Sequence, residues 1–416
     1  MDTSRLHPAE QLALYMQRIY DKGLTTTSGG NLSVRGPDGS IWITPGSVDK
    51  GALTRRDILR VLPDGRVEGP HKPSLELPFH TAIYQARPDL HAVLHAHPPG
   101  LVAFSMLRRT PELDLLPLAR RICGGVQAAA YALPGSEELG RNICAVFAGG
   151  CDAAILENHG VCVGAADLPA AFQRFELLNE LAEIELLARR AGTVRTAPSP
   201  ADPPALPELP PEAPAAGEAA ARRDMIALLR RACRTGLFTS VGGTCSLRLP
   251  DGGFLITPDG MDRAHLEEAD LVLVRDGRRA AGRTPDRAAA FHEALYRADP
   301  GVRAVIQALP RHAMAFAISD AVLDPRVMPE SYVFLRDLPV LSAPLSAGAF
   351  GPACPAALAA HDCAVVTGGS LLQAFDRLEV LEATARAVLS ARALGRVVSI
   401  SPPEVEQLKA AYHLCD

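Results

Sequence analysis

His91-Ala92-Val93-Leu94-His95-Ala96-His97-Pro98-Pro99 is the stretch whose reading decides the fold. Small aliphatic residues alternate with histidines at even spacing, and a Pro-Pro pair stops the run. Read as a strand, its side chains alternate faces, so His91, His95 and His97 project from one side. Neutral imidazoles at i and i+2 of a strand end can close on one metal ion. A lone His-x-His is equally compatible with exposed strand histidines. A second feature favours the metal: Ala153-Ala154-Ile155-Leu156-Glu157-Asn158-His159-Gly160 is another apolar strand ending in His-Gly. Histidines from two strand ends make a catalytic type of site, with one coordination position left open.

The composition suits a cytoplasmic enzyme. A chain of 416 residues is long enough for two domains, each with its own core. It is 48% hydrophobic but only 5% aromatic, so its cores are built from small aliphatics. A net charge of −5 gives no purchase on nucleic acid or an anionic membrane. The first residues lack the charged-then-apolar pattern of a signal peptide, and no run approaches the ~18 apolar residues of a membrane span. The nine cysteines form no Cys-x-x-Cys pair and read as reduced, mostly buried thiols.

The chain also repeats itself. Gly23-Leu24 recurs as Gly236-Leu237, Gly29-Gly30-Asn31-Leu32-Ser33 as Gly242-Gly243-Thr244-Cys245-Ser246, and Ile43-Thr44-Pro45 as Ile256-Thr257-Pro258. All three pairs are offset by 213 (23 to 236, 29 to 242, 43 to 256). After a one-residue slip, Phe79-His80 matches Phe291-His292 and Tyr84 matches Tyr296. Residues 196–220 between the copies are Pro/Ala-rich and read as a semi-rigid linker. The domains are therefore expected at 1–195 and 221–416.

Each copy reads as helix, hairpin, helix, strand and a long closing helix. Leu12, Tyr15, Met16 and Ile19 mark an amphipathic helix over 8–21 that Gly23 stops. Asn31–Arg35 and Ile41–Thr44 alternate about Gly36-Pro37-Asp38-Gly39, a hairpin pattern. A helix over 75–86 leads into the histidine strand, and 167–191 is the closing helix. The copies diverge where chemistry would sit: His95, His97 and Glu76 face Gln307, Leu309 and Ala288. With Asp152 set against Asp362 and Phe172 against Phe375, about seven residues are missing and the Asn158-His159-Gly160 turn has no partner. Joint loss of these residues links them into one site.

The sequence resembles the class II aldolase/adducin family across about 8–192 and 222–394. Ser28-Gly29-Gly30-Asn31-Leu32-Ser33, Ile43-Thr44-Pro45-Gly46, Lys72-Pro73-Ser74-Leu75-Glu76, His95-Ala96-His97 and Glu157-Asn158-His159-Gly160 occur in the family's order and spacing. The resemblance implies two tandem three-layer α/β/α domains with mostly antiparallel sheets. It implies a divalent metal, usually Zn²⁺, on His95, His97 and His159, with Glu76 as acid/base. Gly30, Asn31, Gly46, Ser47 and Ser74 would hold the substrate, a small keto-sugar or sugar phosphate. Two positions depart from the family's phosphate-binding motifs: Leu75 stands where the family motif has a second serine, and the hydroxyl after Ile43-Thr44-Pro45 is shifted to Ser47.

The implied reaction is aldol cleavage, in which the metal stabilises an enediolate as a Lewis acid and the carboxylate moves a proton. Epimerase, dehydratase and decarboxylase chemistry use the same parts, and an adducin-like interaction module is the non-catalytic alternative. The family's tyrosine donors have no match in the first copy, which leaves Tyr332 and Tyr412 of the second as candidates. A homodimer forming a pseudo-tetrameric ring would bring active and inert copies together. His91 is expected to play a supporting role, and His80, matched by His292, a packing role.

Overall fold

The computed structural model describes residues 3–196, 204–210 and 217–414. Two compact units divide them, 3–113 with 119–183 and 114–118 with 184–414.

Helix α1 (Pro8–Asp21) opens the first unit, capped by His7 and Glu10. Its stripe of Leu12, Tyr15, Met16 and Ile19 is fully buried, as the spacing predicts. Strands β1 (Asn31–Arg35), β2 (Ile41–Ile43), β3 (Leu59–Val61) and β4 (Val67–Glu68) follow. After α2 (Leu77–Ala86) comes the histidine strand β5 (Ala92–Ala96). Then come α3 (Pro99–Met106), α4 (Pro117–Cys123), β6 (Val126–Ala129), α5 (Glu137–Ala148), β7 (Ala153–Leu156), β8 (Gly160–Ala165) and α6 (Leu168–Ala191).

The strands form one eight-stranded sheet in the order β4-β3-β2-β1-β5-β8-β7-β6. Every ladder is antiparallel except β6 on β7. The hairpin register pairs Ser33 with Ile43 and Val34 with Trp42. Helices α2 and α5 supply Phe79, Ile83, Leu139, Ile143 and Phe147 to a core shared with Ile43, Leu59, Val93 and Cys162 of the sheet. Burial on both sides explains why β5 and β7 are apolar runs rather than alternating ones.

The second unit repeats this plan. Helix α7 (Glu218–Arg234) precedes β9 (Thr244–Arg248), β10 (Phe254–Ile256), β11 (Val272–Arg275) and β12 (Arg278–Arg279). Helix α8 (Ala289–Ala298), β13 (Ala304–Ala308), α9 (Arg311–Ala317), α10 (Pro329–Leu335) and β14 (Val340–Leu341) come next. Strands β15 (Ala356–Ala359) and β16 (Cys363–Gly368) lead to α11 (Leu371–Arg392) and α12 (Pro402–Ala411). The strand order is β12-β11-β10-β9-β13-β16-β15-β14, the same permutation. The fold is thus α/β in tandem, with two mostly antiparallel sheets.

The registers correct one expectation. Ala128 pairs with Ile155 and Val340 with Leu358. The copies are therefore offset by 212 at β14 (128 to 340) but by 203 at β15 (155 to 358). The nine-residue difference falls between these strands, where the first copy has α5 and the second only a short 3₁₀ turn, Ala347–Ala349. The Glu157-Asn158-His159 turn does have a counterpart, Ala360-His361-Asp362. Asn158 and His361 share a left-handed φ, 54° and 60°. Their amides donate to equivalent carbonyls, Ser105 and Ala317. Asp362 thus replaces His159.

The linker reading of 196–220 also needs adjustment, within it and at its C-terminal end. Pro207–Leu209 hydrogen-bonds to Arg279 on edge strand β12, with an ion pair from Arg279 to Glu208, and α7 begins at Glu218. Pairing satisfies an edge that would otherwise present free backbone groups.

Each copy buries a matching polar triad. Ser33 Oγ lies 2.6 Å from His80 Nδ1 and 2.7 Å from Tyr84 OH; Ser246 Oγ lies 2.7 Å from His292 Nδ1 and 2.6 Å from Tyr296 OH. Burial pushes His80 and His292 each down to about 3. A depressed histidine contributes stability that is present above its unfolded value of ~6.5 and is lost as pH falls toward the folded value. The melting temperature is therefore expected to drop steadily from pH 6.5 toward pH 4. His292→Gln should flatten that slope, and an unchanged slope in the variant would remove this histidine from the account.

Candidate metal and acid–base site

The site forms where the C-terminal end of β5, the β7–β8 turn and the start of α2 meet. His95 is the penultimate strand residue, fully buried, and its Nδ1 lies 2.9 Å from the Val161 carbonyl of the adjacent β8. That carbonyl can only accept, so the proton sits on Nδ1 and the Nε2 lone pair points to the cluster. His97 follows the strand and His159 ends the β7–β8 turn. Ring centroids are 4.8 Å apart for His95–His97, 4.9 Å for His95–His159 and 5.1 Å for His97–His159.

One nitrogen from each ring lies within 4.8 Å of the others. His95 Nε2 and His97 Nε2 are buried with no hydrogen-bond partner. Burial, reinforced by His95, lowers His97 to about 3 and His159 to about 4, so both are neutral at physiological pH. Three convergent imidazole nitrogens, two of them buried and unpartnered, fit a divalent transition metal. The ring of His95 is held by a backbone carbonyl, as in histidine sites whose second nitrogen fixes the orientation of the first.

Glycine makes this convergence possible at two points. A Cβ on Gly160 would lie 2.6 Å from the Ala96 carbonyl and 2.7 Å from the His97 ring. A Cβ on Gly30, at φ 73°, would lie 2.7 Å from the His95 carbonyl. The glycines thus let two loops close on the end of β5.

Glu76 sits at the N-cap of α2 without capping it, so the helix begins at Leu77 rather than Leu75. Its carboxylate is drawn inward instead. Oε2 accepts from Asn31 Nδ2 at 2.6 Å and lies 3.4 Å from His95 Nε2, while Oε1 lies 3.8 Å from His159 Nε2. Burial raises the Glu76 pKa, but His95, the Asn31 hydrogen bond and His159 outweigh it, and the net shift is downward.

Asn31 is 3% exposed; its Nδ2 also lies 3.1 Å from Ser74 Oγ, and its Oδ1 faces His80 Nε2 at 2.5 Å. Gly46 packs against the Pro73 carbonyl, and Ser47 is exposed in the left-handed region. Asn31 thus opens β1 beside Glu76, and Gly30, Gly46 and Ser74 lie on the adjoining loops.

Other candidates fall elsewhere. His91 precedes β5, is exposed and stands outside the cluster, so strand parity did not bring it to the metal end. Tyr332 lies on α10, 7% exposed, with Arg336 over its ring, and Tyr412 follows α12, 58% exposed; both belong to the second unit. Sequence reasoning missed the Asn31–Glu76 contact. Its trace was the joint replacement of Asn31 and Glu76 by Thr244 and Ala288 in the second copy.

The family model for the Class II Aldolase and Adducin N-terminal domain matches residues 10–186 and again 223–389. The chain belongs to this family, with two copies of its domain. A curated relative, L-fuculose phosphate aldolase of Methanococcus maripaludis, is 34% identical over 171 residues, covering 41% of this chain and 91% of that protein. The 3-oxo-tetronate 4-phosphate decarboxylase of Escherichia coli is 30% identical over 179 residues, covering 42% and 84%. A solved L-fuculose 1-phosphate aldolase has 30% identity and a TM-score of 0.43, covering 48% of this chain and 94% of that one. No described helix is long and apolar enough to cross a membrane.

Proposed function

We propose that the first copy is a divalent-metal-dependent aldehyde-lyase that cleaves a small keto-sugar or its phosphate. The observation that carries this is the Glu76 carboxylate beside three convergent imidazoles. His95, His97 and His159 would hold the ion, Zn²⁺ or another divalent transition metal, which supplies Lewis acidity to a substrate oxygen. Glu76 moves the proton: held ionised by its hydrogen bond, it accepts from the substrate hydroxyl and returns the proton after the C–C bond breaks. Gly30, Asn31, Gly46, Ser47 and Ser74 line the substrate's side of Glu76. The second copy, with Gln307, Leu309, Asp362 and Ala288 at the equivalent places, has no such apparatus.

Decarboxylation is the second reading, favoured by the 3-oxo-tetronate 4-phosphate decarboxylase relative, because loss of CO₂ leaves the same kind of enediolate. A homodimer closing a pseudo-tetrameric ring belongs to the same proposal and rests on family resemblance; in it Tyr332 or Tyr412 would protonate the enediolate in place of Glu76, which would then pass its proton to solvent.

The test supplies Zn²⁺, Mn²⁺ or Co²⁺ to chelated protein and assays L-fuculose 1-phosphate and 3-oxo-tetronate 4-phosphate. Metal-dependent release of aldehyde from the first, or CO₂ from the second, separates the two readings. Turnover that is indifferent to chelation would sink both, and unchanged turnover after Tyr332→Phe with Tyr412→Phe would remove the tyrosines.

A further inference from the structure

We infer that His80 is a positioning residue for Glu76, acting through Asn31 at the end of a one-way hydrogen-bond chain that begins at Tyr84. The inference rests on the role given to Glu76 above. The direction of each link follows from the last. The Glu76 carboxylate only accepts, so Asn31 must present its Nδ2 to it, at 2.6 Å. The Asn31 Oδ1 then faces His80 Nε2 at 2.5 Å and also only accepts, so Nε2 carries the proton. The His80 Nδ1 is left as an acceptor and takes the Ser33 hydroxyl proton across 2.6 Å. Ser33 Oγ in turn accepts from Tyr84 OH at 2.7 Å.

Burial supports this assignment. His80 and Ser33 are fully buried and Asn31 is 3% exposed, so water is poorly placed to substitute for a lost link. A buried imidazole whose pKa falls to about 3 stays neutral, and its two hydrogen bonds set which nitrogen carries the proton. If Ser33 ceased to donate, the proton on His80 would be free to move to Nδ1. Asn31 would then turn its Nδ2 to the bare Nε2 and its Oδ1 to the carboxylate, two acceptors face to face. The second copy supplies the control. Ser246, His292 and Tyr296 keep the inner links, but Thr244 and Ala288 replace Asn31 and Glu76, so the chain there serves packing alone.

The test uses the full-length protein labelled with ¹⁵N-histidine, the His80 signals being assigned by their absence in His80→Gln. Ring nitrogen shifts should show His80 as the Nε2–H tautomer in the wild type, and a changed or mixed tautomer in Ser33→Ala. In parallel, Ser33→Ala should lower kcat on L-fuculose 1-phosphate by about tenfold or more with KM within about threefold, the pattern of a displaced catalytic group. Ser246→Ala, the same deletion in the inert copy, should leave kcat within about twofold.

A wild-type His80 carrying its proton on Nδ1 would overturn the chain outright. Equal kcat losses in Ser33→Ala and Ser246→Ala would reduce the triad to packing. Full turnover in Glu76→Gln would instead overturn the role of Glu76, and the catalytic importance of the chain with it, whatever the tautomer.

Discussion

His159→Asn should abolish tight metal binding while leaving the protein folded. The second copy shows that this turn forms without a histidine: Asp362 takes the place of His159, with the same left-handed residue before it and the same amide bonds. The substitution therefore deletes a ligand without disturbing β7 or β8. Altering a residue that merely orients a ligand costs about 10–100-fold in metal affinity, and loss of a ligand should exceed that. Metal analysis after dialysis should find one ion per chain in the wild type and a small residue in the variant, with the melting temperature of the metal-free proteins unchanged. Two ions per wild-type chain would contradict the assignment, since Gln307, Leu309 and Asp362 cannot reproduce the triad.

Glu76→Gln is the second large effect. Glutamine keeps the shape, and its carbonyl oxygen can still accept from Asn31, so the helix start and the metal should survive. The group can no longer take a proton, and turnover should fall by roughly 10²–10⁴-fold. The fall should appear in kcat with little change in KM, because a group that acts during the chemical step loses transition-state rather than ground-state interactions. A variant that turns over at the wild-type rate would place the base elsewhere.

Much of this was legible in the sequence because it is written in local periodicity. Leu12, Tyr15, Met16 and Ile19 define a helical stripe, Asn31–Arg35 and Ile41–Ile43 a hairpin, and His95 and His97 a strand end. The missing residues were misplaced for a physical reason. Strands β7 (Ala-Ala-Ile-Leu) and β15 (Ala-Ala-Leu-Ala) carry no distinctive side chain, so matching Asp152 with Asp362 was as plausible as any alignment. Pairing with their neighbours on both sides fixes their positions. The link from Asn31 to Glu76 spans 45 residues and depends on how β1 and α2 pack, which neither segment encodes alone. His91 falls outside β5, so strand parity could not bring it to the metal end.

The identical strand permutation in both units has a consequence for protein engineering. Positions 244, 288, 307, 309 and 362 stand in the second sheet where Asn31, Glu76, His95, His97 and His159 stand in the first. Thr244→Asn, Ala288→Glu, Gln307→His, Leu309→His and Asp362→His would write a second site onto a backbone that already holds the Ser246–His292–Tyr296 anchor. That graft would also differ from the first site in having the 3₁₀ turn Ala347–Ala349 where the first copy has α5.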